Sequence, residues 1–100
     1  MFDASRTSVA VIGGGPAGLM AAEILCNAGI QVDVFDAMPS FGRKFLLAGI
    51  GGLNITHSEE YEKFCKRYST SQAHLQPALD SMTPQKLCEW VHGLGVETFV

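Results

Sequence analysis

Val9-Ala10-Val11-Ile12-Gly13-Gly14-Gly15-Pro16-Ala17-Gly18 is the stretch on which the reading of this chain turns. Four apolar residues run into three glycines, and a stretch of small residues with helical character follows. Gly13, Gly15 and Gly18 fit the spacing G-x-G-x-x-G, which also arises by chance in glycine-rich turns. Here it has the context its mechanism needs, a strand before it and a helix after it. Gly13 allows a tight turn out of the strand, Gly15 lets a pyrophosphate approach the backbone, and Gly18 lets the helix pack close to the sheet. Phosphates at such a turn meet N–H groups and the positive end of the helix dipole. A second strand, Gln31 to Asp36, ends in a carboxylate eighteen residues beyond Gly18, near the distance at which an acid reaches ribose hydroxyls. The ADP half of a dinucleotide is therefore expected against Gly13, Gly14, Gly15, Pro16, Ala17, Gly18, Asp36 and Ala37.

Working outward, Ser8 to Ile12 reads as a strand whose unbroken apolar run suits burial on both faces. The helix is expected from Pro16 to Ala28, with proline in its first turn where a missing N–H costs nothing. Ala17, Ala21, Ala22 and Leu25 form its thin packing face, and Gly29 is a natural terminator. Pro39 turns the chain away after the second strand, and Phe41 to Ile55 is the least regular region. Thr56 to Glu59 matches a capping box, and the helix behind it would bury Tyr61, Phe64, Cys65 and Tyr68. Ser69 to Gln72 is a polar link, and Ala73 to Met82 is helical in part. Thr83-Pro84 opens another helix carrying Leu87, Trp90, Val91 and Leu94 on one face, with Gly93 and Gly95 closing it. Val96 to Val100 reads as the start of a further strand.

The fold class that follows is α/β, a Rossmann-like FAD/NAD(P)-binding parallel sheet with flanking helices, incomplete over 1–100. Such a domain needs several parallel strands, and only two are clear before residue 40. Residues 1–100 are thus expected to be the N-terminal part of an FAD-binding domain, with the remainder of the enzyme absent. With 47% apolar and 17% charged residues the chain is globular. A net charge of −3 gives no electrostatic case for nucleic acid or an anionic membrane surface. Val9 to Ile30 is long enough for a membrane span, but Glu23, Asn27 and the glycine-proline cluster argue against one. Cys26, Cys65 and Cys88 are odd in number and never spaced C-x-x-C, which suits a reducing cytoplasm and argues against a redox-active disulfide.

The fingerprint alone does not separate FAD from NAD, although Asp36 would repel the 2′-phosphate of NADP. FAD is favoured because the fingerprint opens the chain and because a glycine-rich loop with two cations follows the acid. FAD is long, so extra backbone must cover it. Arg43 and Lys44 can offset phosphate charge, while Gly49, Gly51 and Gly52 let backbone lie against the flavin. An ordinary surface loop is the alternative.

Gly42-Arg43-Lys44-Phe45-Leu46-Leu47-Ala48-Gly49, continuing through Gly52-Leu53-Asn54-Ile55-Thr56-His57, resembles the G-R-K … G-G-x-x-N-[VI]-T signature of the bacterial BaiN-like flavoproteins. These are described as NAD(FAD)-utilising dehydrogenases. The resemblance covers about residues 8 to 58, and Thr83 to Val100 resembles one branch of the family. It implies a much longer protein with a second domain inserted into the FAD domain. It also implies that Gly13 to Gly18 and Asp36 bind the ADP half, with Arg43, Lys44 and Asn54 further along the cofactor. Many relatives carry Gly-Arg-Cys-Asn where this chain has Gly51-Gly52-Leu53-Asn54, so no role of that arginine or cysteine transfers.

His57, beside the expected cap and the cofactor loop, is the candidate acid–base group, while His74 and His92 read as helix surface. Tyr61, Tyr68 and Trp90 read as core rather than flavin-stacking residues. No nucleophile–base pair, metal constellation or catalytic carboxylate pair is visible, so no catalytic residue and no metal is assigned. The expectation is a cytoplasmic FAD-dependent oxidoreductase, reduced by NAD(P)H, with its acceptor and oligomeric state open. Two alternatives remain, an NAD-binding sensor module and a non-enzymatic flavoprotein.

Overall fold

The computed structural model describes residues 6–48 and 52–100. The glycine-rich loop's Gly49 and Gly51 lie outside the described residues. Two compact units divide the chain, Met1–Leu53 and Asn54–Val100.

In the first unit, β1 (Ser8–Ile12), α1 (Pro16–Asn27) and β2 (Gln31–Phe35) form one β-α-β run, followed by a short α2 (Arg43–Leu47). The strands are parallel and in register from Ser8 opposite Gln31 to Ile12 opposite Phe35, a pairing that needs a crossover such as α1. Side chains alternate in burial along both strands. Val9, Val11, Val32 and Val34 sit on the half-buried face, and Ser8, Ala10, Ile12, Gln31, Asp33 and Phe35 on the exposed one. The expectation that β1 is buried on both faces is therefore corrected. Within this unit α1 packs on one side of the sheet, and Ile12 on the other side stays 81% exposed. The helix face is corrected too, because Ala17 and Ala21 are exposed while Gly18, Ala22 and Leu25 turn inward.

The end of α1 follows its residues closely. Gly29 adopts φ +77°, the left-handed conformation that glycine enters without a Cβ clash. The Ile30 N–H then reaches the Leu25 carbonyl and the Gly29 N–H reaches that of Cys26, the pair of bonds that satisfies the last turn's orphan carbonyls. Ile30 is buried at the start of β2. Arg43–Leu47, expected to be irregular, is helical instead, entered from Gly42 at φ +64°. Gly42 supplies the sharp turn there, and Arg43 to Leu47 contains no glycine, proline or β-branched residue to oppose a helical turn.

The second unit holds α3 (Tyr61–Lys66), a 3₁₀ turn (Ser69–Ser71), α4 (Gln72–Ser81) and α5 (Pro84–Gly93). The expected capping box at Thr56 does not form. Glu60, without a side-chain bond, caps α3. Glu59 has found other partners, its N–H donating to His57 Nδ1 at 3.1 Å and its carboxylate pairing with the Arg67 guanidinium. That pairing holds the Glu59 carboxyl below its ordinary range. Cys65 is buried and Tyr61 and Phe64 are half-buried, but Tyr68 is exposed because α3 ends before it. Tyr68 still meets Phe64 edge to face at 5.8 Å.

The Tyr61 hydroxyl donates to Asp80 Oδ1 at 2.6 Å, and the Gln76 amide donates to the same oxygen at 2.8 Å, tying α3 to α4. These two bonds, Tyr61's first, lower the Asp80 pKa, and Asp80 in turn raises that of Tyr61. Thr83 caps α5 as expected, its Oγ1 accepting the Lys86 N–H at 3.2 Å. Val91 is buried and Leu87 half-buried, whereas Trp90 and Leu94 are exposed. Val96 to Val100 forms no strand, which corrects that expectation. Parallel pairing requires a neighbouring strand, and this unit has none.

Candidate functional site

The site grows from the point where β1 and β2 end side by side. The Gly13 N–H donates to the Phe35 carbonyl at 2.7 Å, carrying the ladder one residue past Ile12. Gly13 then turns the chain at φ +108°, a conformation a side chain would strain. Gly14 is buried, and its N–H donates to Asp36 Oδ2 at 2.7 Å. The other carboxylate oxygen accepts the Met38 N–H at 2.8 Å. These two N–H bonds, that of Met38 first, hold the Asp36 carboxyl below its ordinary range against a small opposing effect of burial. Asp36 therefore stays ionised at neutral pH. Each of its oxygens keeps lone-pair capacity for a further donor.

Gly15 is the N-cap of α1, with φ −85° and ψ −171°, and its carbonyl accepts the Leu19 N–H at 2.9 Å. The next residues, Pro16 and Ala17, form the exposed first turn of the helix. No side chain caps this end and no acidic residue lies in its first turn, so its first N–H groups and partial positive charge have no side-chain partner among the described residues.

The glycines of the fingerprint differ in what demands them. A Cβ on Gly18 would stand 1.8 Å from the Gly13 carbonyl oxygen and 3.2 Å from Val11 Cγ1, so the close approach of helix and sheet requires glycine. On Gly14 it would stand 2.2 Å from the Phe41 ring. On Gly15 it would meet nothing within 4 Å, and the Gly15 backbone angles suit any residue. Neither packing nor conformation calls for glycine at 15.

Beside this turn an open cleft is lined by Ile12, Gly13, Phe35, Asp36 and Ala37. The structure thus brings Gly13 to Gly18, Asp36 and Ala37 together at the carboxyl ends of two parallel strands, where open α/β sheets bind ligands. Arg43 and Lys44 belong to the same unit, exposed in α2 directly after Gly42, whose N–H donates to the Gly14 carbonyl at 2.7 Å. Neither has an acidic partner among the described residues. Asn54 and His57 belong to the second unit. The His57 Nδ1 accepts the local Glu59 N–H, and its side chain is exposed. Sequence reasoning missed Phe41 and Gly42, which contact Gly14. Gly42 is legible in the sequence only as the first residue of the G-R-K stretch, and Phe41 carries no signal.

A family model described as HI0933-like protein Rossmann domain matches residues 7–100. UacF of Escherichia coli (strain K12), named as a proposed oxidoreductase, is 68% identical over 34 residues, covering 34% of this chain and 5% of its own. The carotenoid phi-ring synthase of Streptomyces griseus is 30% identical over 95% of this chain and 20% of its own length. The thiamine thiazole synthase of Methanosarcina barkeri is 32% identical over 98% of this chain and 39% of its own length. The chain thus spans well under half the length of each of these relatives. No solved structure gives a significant match.

Proposed function

The chain belongs to the HI0933-like Rossmann-domain family, and on that premise we propose that it supplies the ADP-binding part of an FAD-dependent oxidoreductase reduced by NAD(P)H. The observation that carries this reading is the empty space in front of Gly15, set beside the ionised Asp36 and the uncapped start of α1. In this reading the FAD pyrophosphate lies against Gly13, Gly14 and Gly15 and meets the N–H groups around Pro16, Ala17 and Gly18. The free lone pairs of Asp36 accept the adenosine ribose hydroxyls beside Ala37, and its charge excludes a 2′-phosphate. Arg43 and Lys44 offset phosphate charge, and Asn54 lies further along the cofactor, as the G-R-K and N-[VI]-T resemblance suggests.

When bound, the flavin supplies the electron chemistry, and this part of the chain supplies its position and electrostatics. Residues 1–100 are on this reading the N-terminal part of a larger FAD-binding domain, as the small share of each relative's length supports. The acid–base groups and the acceptor site belong to the rest of that protein. The three free cysteines favour a cytoplasmic setting. No helix among the described residues is long and apolar enough to cross a membrane.

Gly15→Val is the test. It places a branched side chain in the space proposed for the pyrophosphate, at a position where an added Cβ meets no atom within 4 Å. Bound flavin, read by its visible absorbance near ~450 nm, is expected to disappear while the melting temperature stays at that of flavin-free wild type. Stoichiometric flavin in the Gly15→Val protein would overturn the assignment. A protein that binds NAD and no flavin would favour a sensor, and flavin without NAD(P)H turnover a non-enzymatic flavoprotein.

A further inference from the structure

Gly14 is gripped from two sides. Its N–H goes to Asp36 and its carbonyl accepts the Gly42 N–H at 2.7 Å. The Phe41 ring lies over its Cα, so close that no Cβ fits. Gly42 stands in the left-handed region at φ +64°, the turn that directs its N–H back toward the fingerprint. Phe41 remains 51% exposed.

The Gly14 carbonyl and the Gly15 N–H share one peptide unit. In a trans peptide these two groups point in opposite directions, and none of the described peptides is cis. A carbonyl fixed on Gly42 therefore aims the Gly15 N–H the other way. No described residue accepts that N–H, and it lies at the positive end of α1. Were the peptide to flip, the carbonyl oxygen would face the anion instead.

We infer that Phe41 and Gly42 form a clasp that orients the Gly14–Gly15 peptide toward an anionic diphosphate. Both are positioning residues, acting on the ligand through Gly14 rather than by contact. The inference rests on the dinucleotide reading above and adds residues to it that the fingerprint does not contain.

The experiment measures binding of ADP and of adenosine to the purified protein and its variants, with melting temperatures recorded alongside. Gly42→Ala forces an ordinary residue into a left-handed position. It is expected to weaken ADP on the order of tenfold while adenosine changes little, so the ratio of the two affinities falls. Gly42→Asn, which tolerates the left-handed region and keeps the N–H, restores the ratio. Phe41→Ala leaves the backbone intact and lowers the ratio to a smaller extent. Gly14→Ala loses ADP binding, and adding Phe41→Ala recovers part of it, because the ring is what the new Cβ strikes.

Equal losses of ADP and adenosine in Gly42→Ala, or no recovery in the Gly14→Ala/Phe41→Ala double variant, would overturn the clasp while leaving the fingerprint assignment standing. A wild-type protein that binds neither ADP nor FAD would overturn both.

Discussion

Helices α1 and α5 begin with the same punctuation and end with different consequences. Each has proline at its first position and an extended residue before it, Gly15 at ψ −171° and Thr83 at ψ 161°. Thr83 turns its hydroxyl onto the Lys86 N–H, so α5 satisfies part of its own first turn. Gly15 has no side chain with which to do the same, and α1 starts bare beside an open cleft. Both helices close alike, on Gly29 and Gly95 in the left-handed region, with the following residue's N–H reaching back to Leu25 and Val91. The contrast therefore lies at one end only. A cap that could easily have been serine or threonine is glycine where a ligand is proposed to lie, and threonine where the helix has only itself to satisfy.

The strongest way to break this contrast is Gly18→Ala, because the clash it creates is with backbone rather than with a movable side chain. The substitution should cost about 3 kcal/mol of stability and abolish flavin binding together with it. Denaturant melts that superimpose on wild type would mean that the close approach of α1 to β1 is not needed.

Asp36→Ala comes next. It removes the acceptor of the Gly14 and Met38 N–H bonds and, in the proposed complex, the partner of the ribose. FAD affinity should fall on the order of tenfold or more, while any weak FMN binding, which involves no adenosine ribose, should hardly change. A pH series sharpens the point. The folded-state pKa of Asp36 lies below the ordinary 3.8, so its stabilising effect is fully present above that pH. It is lost as the pH falls through the lower, folded value. Asp36→Asn should flatten this part of the acid-unfolding curve, and an unaltered curve would show that the carboxylate does not hold the turn.

The smallest effect belongs to the other helix. Thr83→Ala should destabilise the second unit by about 1 kcal/mol and leave flavin content as in wild type. Loss of flavin from this variant would mean that the two helix starts are not independent in the way their caps suggest.

Much of the first unit was legible because short-range sterics decide it. The bounds of β1, the proline start of α1 and the Gly29 stop depend on residues within one helical turn of each other, and all three stand as expected. The same holds for Thr83-Pro84. Legibility failed where a local pattern had a distant competitor. Thr56 to Glu59 has the residues of a capping box, but Arg67 lies eight positions further on and offers Glu59 a full charge instead of a backbone N–H. It failed again where a pattern needed a neighbour. Val96 to Val100 is β-prone, yet a strand exists only by pairing, and the apolar run of β1 implied a second covered face that α1 alone does not provide.

The candidate site divides along the same line. Residue order by itself determined the glycine turn, the helix behind it and an acid at the end of the second strand, since these follow from Cβ volume, proline's missing N–H and strand propensity along short stretches of chain. Only the tertiary structure decided what each group does there. The Gly14 N–H has its acceptor twenty-two residues away and the Gly14 carbonyl its donor in Gly42, further still. A backbone group takes whichever partner folding brings within hydrogen-bond distance, and over such separations that choice is made by the packing of strand, helix and loop together rather than by any stretch of sequence read alone.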